Sequence, residues 1–189
     1  MEFEEIQKDQ KRRLSSKRYI HVLGVTEAAG RLADRYGADR EKARLAGLVH
    51  DCAKEFTLEE MQDIMKRSGH IPDDRLMRSK ALLHGPAGSV LAQERYGITS
   101  PDILSAVYYH TTGRENMSLM EKIIFLADYI EPSRKFPGVD DIRKVAFSNL
   151  DEAVLLGYDK TIRYLLDSHQ YIYDLTFRGR NDLIISSNC

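Results

Sequence analysis

The chain has 189 residues, of which 42% are hydrophobic and 30% are charged, and its formal net charge is −1. This length fits one domain, taken as residues 1–189, that can bury a core without disulfides. A charge near zero supplies no field to hold a nucleic-acid polymer, so we exclude that partner. A small phosphorylated ligand needs only a few local cations and stays open.

Cysteine usage and the N-terminal segment predict the compartment. Cys52 and Cys189 lie far apart, which argues against a disulfide framework and indicates a reducing environment. The opening MEFEEIQKDQKRR is charged and lacks the apolar stretch of a signal peptide. No apolar run approaches the roughly 18–20 residues that a membrane span needs. We therefore expect a cytoplasmic protein with no membrane partner.

Apolar residues recur at helical spacing along almost the whole chain, and no strand is expected. The first helix is predicted from about Ser16 to Tyr36, with Ile20 on its apolar face and Gly37 at its end. The second helix begins after Asp39, a residue suited to the N-cap.

Capping patterns predict the helices in the middle of the chain. A capping box of Thr57 and Glu60 begins the third helix, and Gly69 ends it. The fourth helix is predicted to begin near Pro86, which suits a first turn, and to end at Gly97.

The remaining helices follow similar rules. The fifth begins at Ser100-Pro101 and reaches His110, and the sixth begins with a capping box at Ser118 and ends before Pro132. Two more are predicted over residues 140–149 and 150–168. The pattern at 177–181 favours neither helix nor loop.

The adjacent pair His50-Asp51 is the first candidate for chemistry. Consecutive helical residues point about 100° apart, so both can reach one ion only near a helix end or in a dense bundle core. The apolar pattern fades after Lys54, which places the pair near such an end. An imidazole and a carboxylate suit a borderline divalent metal. The alternative for the pair alone is a hydrogen-bonded helix terminus.

Asp128 lies inside the apolar run from Ile123 to Ile130. A buried carboxylate is costly unless it is paired or bound to a metal, and Lys122 is poorly spaced to pair with it. We therefore favour metal ligation for Asp128. His21 also lies near an apolar face, where a lone histidine is more often a hydrogen-bonded core residue than a ligand.

His84 and His110 are placed at helix ends, where side chains converge on clefts. The alternative for each is a histidine that only stabilises a helix terminus. His70 and His169 lie in polar segments and are interpreted as bystanders.

The order His21, His50-Asp51 and Asp128 resembles the H…HD…D signature of the HD-domain phosphohydrolases. Longer segments resemble one subgroup, the YqeK-type symmetrical bis(5′-nucleosyl)-tetraphosphatases. These segments are RYIHVLGV (18–25), AGLVHDCAK (46–54), LHG (83–85), HTTG (110–113), EKIIFLADYIEP (121–132) and SRKFPG (133–138).

The resemblance implies an all-α HD-domain helical bundle, with core motifs over 18–138 and C-terminal helices over 139–170. It also implies an acid-anhydride phosphohydrolase that cleaves diadenosine tetraphosphate into two ADP and favours iron. One or two metal ions are expected, with manganese or cobalt as substitutes.

On this basis the expected metal ligands form two sets. The first metal is assigned to His21, His50, Asp51 and Asp128, and a second to His84 and His110 with Asp51 bridging. Metal-bound hydroxide would attack a phosphate, so the expected catalytic residues are Asp51, His84 and His110.

Cations near these ligands are candidates for binding the polyphosphate, and the alternative for each is a solvated surface residue. The expected nucleotide-binding residues are Arg18, Lys54, Lys80, Asp128, Arg134 and Phe136, with Tyr109 as the alternative base-stacking ring.

Other functions stay open at this point. One alternative is a nucleotidase or a phosphodiesterase of cyclic nucleotides, and another is a non-catalytic nucleotide-binding regulator with a structural metal. The surplus of ligands beyond the four that close a structural site argues against the regulator. Apolar residues such as Val154, Leu155 and Leu165 can face a second subunit as readily as a core, so a homodimer also stays open.

Overall fold

The structure, a computed structural model, describes residues 1–187, and Cys189 lies outside that range. Eleven α-helices and no strand occur within the described residues, which confirms the all-α prediction. The helices are α1 (Phe3–Arg13), α2 (Ser16–Tyr36), α3 (Arg40–Val49), α4 (Leu58–Ser68), α5 (Asp74–Met77), α6 (Lys80–Tyr96), α7 (Pro101–Tyr109), α8 (Leu119–Ile130), α9 (Val139–Val145), α10 (Leu150–Asp167) and α11 (Asp174–Ser187).

Several helix ends follow the caps expected from the sequence. α2 ends at Gly37, whose φ of 72° is the left-handed conformation that glycine tolerates best. The Asp39 side chain accepts a hydrogen bond from the Lys42 amide at the beginning of α3. α4 and α8 begin with reciprocal capping boxes at Thr57 and Ser118. These local hydrogen bonds determine where the helices begin and end.

The prediction that a helix begins near Pro86 is wrong. α6 begins at Lys80, and Pro86 lies inside it. A proline ring normally disfavours helical geometry at the preceding residue because it crowds that residue's Cβ, and Gly85 has no Cβ. The helix therefore continues through the proline, and His84 lies within α6 and not at its entry.

The structure also differs from the prediction in the number of helices, in the end of one helix and in the buried face of another. The sequence does not predict three of the helices, α1, α5 and α11. Most residues of α1 are charged, but its Ile6 is fully buried. α9 ends at Val145, earlier than predicted. Ile20, expected on the apolar face of α2, is 59% exposed, and the next residue, His21, is buried instead.

The five helices α2, α3, α6, α7 and α8 form the centre of the bundle. α2 packs against α3 and α8, and α7 packs against α6 and α8, while α10 crosses α8 with α9 and α11 beside it. Val22, Val49 and Ile124 belong to the main core, and Met61 and Leu83 belong to a smaller cluster between α4 and α6. None of the helices formed by residues 1–187 is long and apolar enough to cross a membrane.

Candidate metal centre

Four histidines and two carboxylates meet at the centre of the bundle. Their donor atoms form three overlapping triads, and within each triad the atoms lie within 4.8 Å of one another. The triads are His21–His50–Asp51, His50–His110–Asp128 and Asp51–His84–His110. The structure thus brings all six predicted metal ligands together, although they come from five separate helices or helix ends.

Asp51 occupies the middle of this cluster. Its Oδ2 atom lies 3.6 Å from the Nε2 atoms of both His21 and His50. Its Oδ1 atom lies 3.3 Å from the Nε2 of His84 and 3.7 Å from the Nε2 of His110. α3 ends at Val49, so the chain turns immediately before this carboxylate. Each oxygen of Asp51 therefore faces a different pair of histidines.

Hydrogen bonds at the Nδ1 atoms orient three of the imidazoles. The Nδ1 of His50 donates to the Gly47 carbonyl at 2.7 Å. The Nδ1 of His110 donates to the Val107 carbonyl, also at 2.7 Å. The Nδ1 of His21 donates to Glu131 Oε1 at 3.0 Å. Because these oxygens can only accept, each ring carries a proton on Nδ1, and a neutral ring then turns its Nε2 lone pair inward. Burial opposes protonation of the Nε2 of His21, but the hydrogen bond with Asp128 Oδ1, 3.1 Å away, raises the pKa of His21.

The Nε2 atoms inside the cluster lie close together in two pairs. The Nε2 atoms of His21 and His50 lie 3.3 Å apart, and those of His84 and His110 lie 3.0 Å apart. Burial lowers the pKa of His50 to about 4, so its ring is neutral at neutral pH. Two ring nitrogens this close need a proton or a metal cation between them. Nitrogen and carboxylate donors at this spacing fit a borderline divalent metal.

Both carboxylates of the cluster are ionised at neutral pH. Burial alone would raise the pKa of Asp51, but its electrostatic interactions with His50, His110 and His84 hold that pKa well below its ordinary value. Burial also opposes ionisation of Asp128, yet the hydrogen bond from His21 and the charge of Arg134 keep its pKa low. Two anionic oxygen donors are therefore available.

Two arginines contact these carboxylates. Arg18 donates from Nη1 to Asp51 Oδ2 at 2.6 Å. Arg134 donates from Nη2 to Asp128 Oδ1 through a short hydrogen bond, and from Nε to the Asp128 carbonyl at 2.9 Å. Both guanidinium groups therefore lie at the edge of the cluster, next to the proposed metal ligands.

The predicted lysines have different positions. Lys54 is half-buried, with Nζ 3.0 Å from the Nε2 of His84, and burial lowers its pKa. Lys80 is exposed on the first turn of α6, and the structure does not bring it to the cluster. Lys122, rejected as a partner for Asp128, pairs with Asp151 at 2.7 Å instead.

A cavity of about 610 Å³ opens from the cluster of histidines and carboxylates, between α8, the segment 133–138 and α10. This volume lies within the usual range for small-molecule sites, roughly 300–1,000 Å³. His110 and Asp128 line its inner end, and Phe136 lines a wall. Three cationic residues of the lining, two of them Lys160 and Arg163 of α10, outnumber its two acidic residues. The cavity therefore suits an anionic ligand that reaches toward the cluster.

Some residues at the site had no predicted role. The Thr111 hydroxyl lies 3.1 Å from the Nε2 atoms of both His84 and His110. Lys160 and Arg163 belong to a helix predicted only as C-terminal, and no spacing relates them to a metal ligand. Tyr109, the alternative stacking ring, instead has the Arg114 guanidinium 4.9 Å from its ring centroid. His70 and His169 are exposed and lie outside the cluster.

Comparisons with known proteins agree with this geometry. The model of the HD domain family matches residues 18–133. A protein named symmetrical bis(5′-nucleosyl)-tetraphosphatase from Bacillus subtilis is 42% identical over 177 residues, covering 94% of this chain and 95% of the relative. A protein of the same name from Halalkalibacterium halodurans is 45% identical and covers 91% of both chains.

A solved structure is similar over the whole fold. The crystal structure of a Clostridium acetobutylicum protein, described as an HD superfamily hydrolase involved in NAD metabolism, has a TM-score of 0.95 and 46% identity, with 98% of each chain covered. The chain therefore belongs to the HD-domain family and, within it, to the family of the symmetrical bis(5′-nucleosyl)-tetraphosphatases.

Proposed function

We propose that this chain is a metal-dependent hydrolase that cleaves diadenosine tetraphosphate symmetrically into two ADP. The observation that carries the proposal is the position of Asp51. Its two oxygens face two separate histidine pairs next to a cavity with cationic lining. The family to which the chain belongs gives the substrate class.

The metal would be held by the six clustered ligands. His21, His50, Asp51 and Asp128 would bind one divalent ion, and His84 and His110, with Asp51, a second. We propose iron as the native metal, with manganese or cobalt as substitutes. When bound, such a metal lowers the pKa of water toward neutrality and offsets phosphate charge.

Hydrolysis breaks the central anhydride bond of the tetraphosphate. The oxygen of water ends on one ADP, and the bridging oxygen leaves with the other ADP. The leaving group is itself a phosphate that is stable as an anion, so no protein acid has to protonate it. We assign Asp51, His84 and His110 to orienting the attacking water, with the Thr111 hydroxyl as a further hydrogen-bond partner.

Arg18 and Arg134 are proposed to bind phosphate oxygens. Each guanidinium carries five N–H donors, and the contacts with Asp51 and Asp128 leave several of them free for phosphate. The side chains of Arg18 and Arg134 are 30% and 39% exposed, so an incoming ligand can reach them.

The remaining nucleotide contacts are proposed along the cavity. Phe136 is half-buried and packs edge-on against Tyr129, with centroids 5.9 Å apart, which leaves a ring that can stack on a base. Lys54 and Asp128 are proposed to contact the inner phosphates. Lys80, exposed on α6, stays a prediction for an outer phosphate.

Product identification tests the proposal. Purified protein loaded with iron, manganese or cobalt is expected to convert diadenosine tetraphosphate into two ADP. Formation of AMP and ATP would contradict symmetrical cleavage. Preferential hydrolysis of nucleoside monophosphates or cyclic nucleotides would favour the alternative enzymes. Tight nucleotide binding without turnover in any of the three metals would favour the regulator.

Cellular context and assembly are also proposals. We propose a cytoplasmic protein that acts as a single domain on a free nucleotide. Val154 is buried in the core and cannot face a partner, whereas Leu155 and Leu165 are half-buried and Tyr164 is exposed. A homodimer through α10 therefore stays a prediction, which sedimentation analysis of the purified protein would test.

A further inference from the structure

Glu131 is a buried carboxylate next to the metal ligands but outside their set. Its side chain is 1% exposed. Its Oε1 accepts hydrogen bonds from His21 Nδ1 at 3.0 Å and from the Ser133 hydroxyl at 2.6 Å. Its Oε2 accepts one from the Ser133 amide at 2.7 Å. The carboxylate is thus held in place from two sides, with one oxygen directed at the His21 ring.

This contact distinguishes His21 from the other oriented histidines. His50 and His110 donate their Nδ1 protons to neutral backbone carbonyls. His21 donates its proton to an anion. An anionic acceptor draws the Nδ1 proton more strongly, which fixes the tautomer and makes the opposite nitrogen a more basic metal ligand.

α2 leaves the space that this carboxylate needs. Gly24 lies about one turn after His21, and a Cβ at that position would be 2.6 Å from Glu131 Oε2. Any side chain at this position would therefore push the carboxylate from its place. The close approach of Gly24 and the hydrogen bond to His21 are independent contacts of α2 with the same carboxylate.

We propose that Glu131 is a positioning residue that holds His21 in its metal-binding tautomer and raises the affinity of the ion on the His21 side of the cluster. The inference rests on the proposed function only in assuming that the cluster binds a divalent metal. In this role Glu131 acts through His21 and does not bind the substrate or the metal. Its role is to determine how well one ligand binds.

Cobalt(II) titration of the whole, chelator-stripped chain tests this role without substrate. Glu131→Gln keeps the shape and an acceptor but removes the charge, so we expect affinity for one cobalt ion to fall about 10-fold, and up to about 100-fold for Glu131→Ala. An ion at the His84 and His110 end is expected to keep its affinity. Visible absorption of cobalt and a count of metal per chain report both ions.

Gly24→Ala provides a second route to the same effect, because its Cβ displaces the Glu131 carboxylate. Its matched control on the same helix is Gly30→Ala, whose Cβ would meet two flexible side chains, Arg44 at 3.0 Å and Arg40 at 3.6 Å. We expect Gly24→Ala to weaken cobalt binding and Gly30→Ala to leave it unchanged.

Two results would overturn the inference, and they are distinguishable. Wild-type affinity in both Glu131→Gln and Gly24→Ala would remove the positioning role and leave the proposed function intact. A wild-type chain that binds no cobalt, iron or manganese would remove the metal centre, and with it both the function and this inference.

Discussion

The Nε2 atoms of His21 and His50 lie 3.3 Å apart where α2 packs against α3, although the residues are 29 positions apart in the chain. Both Nδ1 protons are already donated, to Glu131 and to Gly47. Although burial opposes it, the Asp128 carboxylate, 3.1 Å from the Nε2 of His21, raises the pKa of His21 and so favours a proton on that nitrogen when no metal is bound. A bound metal cation would take the place of that proton between the two nitrogens.

Removing His50 or Asp51 is expected to abolish metal retention and turnover. His50→Ala and Asp51→Ala each delete a donor from two of the cluster's three triads. We expect the helices around them to remain packed. Circular dichroism should show an unchanged helical fold, and elemental analysis should show loss of metal. His70→Ala is the control, because His70 is exposed and bonds only locally to Ser68. Full activity in either cluster variant would end the metal assignment.

Metal removal is expected to lower thermal stability. A ligand at 100 times its Kd stabilises the folded state by about 2.7 kcal/mol, and for a chain of this size 1 kcal/mol shifts Tm by about 2–4 °C. We therefore expect a chelator to lower Tm by roughly 5–10 °C relative to protein in saturating manganese. The His50→Ala variant should show no such shift. Equal Tm values for wild type with and without chelator would contradict the centre.

Arg134→Ala is expected to weaken catalysis without removing metal. A hydrogen bond to a charged group contributes about 1.5–3 kcal/mol, so kcat/KM should fall by roughly 10–100-fold. The six ligands remain, so metal content should not change. Lys135→Ala is the matched control, since its side chain is the exposed neighbour. An unchanged kinetic profile would remove Arg134 from the substrate site.

Gly85→Ala is expected to separate α6 from α7. A Cβ at Gly85 would lie 2.6 Å from the Tyr108 backbone carbonyl, which cannot turn away as a side chain can. Overpacking of this kind costs about 1–3 kcal/mol, and here it would also displace His84 from His110. Urea unfolding and metal content measure the two effects.

The control for Gly85→Ala is Gly88→Ala, on the same helix α6. A Cβ at Gly88 would meet its nearest atom, the His50 carbonyl oxygen, at 3.4 Å, an ordinary contact. Gly88→Ala should therefore keep metal and gain up to about 1 kcal/mol from helix propensity. Equal stability and metal content in the two variants would contradict the close approach of α6 to α7.

Acid should weaken an ion-pair cluster outside the proposed metal ligands, formed by Asp9 with Arg95 and Tyr96. Hydrogen bonds from Arg95 and Tyr96 outweigh burial and lower the pKa of Asp9 to about 2. Because the folded pKa is depressed, the stability from Asp9 is fully present above the unfolded value near 3.8 and is lost as pH falls through about 2. Allowing for solvent screening at the exposed arginines, Asp9→Asn should cost about 1–2 kcal/mol at pH 7.

That cost is expected to fall to roughly half at pH 3. Urea unfolding of wild type and Asp9→Asn at pH 7, 5 and 3 measures the difference directly. Asp63→Asn is the control, because Asp63 forms only an exposed i,i+3 pair with Lys66 and should change stability little. A cost for Asp9→Asn that grows toward low pH would contradict the assigned sign.

Local sequence determined the helices whose ends carry their own hydrogen bonds. The caps at Asp39, Thr57 and Ser118 and the left-handed glycine at Gly37 act within a few residues, so their effect is visible in the sequence. The resemblance on short motifs likewise indicated all six residues that the structure brings together as candidate ligands. The continuation of α6 through Pro86 was missed because it depends on how proline and its preceding glycine combine.

Tertiary packing alone decided what surrounds those ligands. Glu131 reaches His21 across 110 residues, and Lys160 and Arg163 line the cavity only because α10 crosses α8. No spacing along the chain encodes such contacts, since they depend on how helices cross. The sequence therefore determined which side chains could bind a metal, and the packing of five helices decided that their donor atoms share one site.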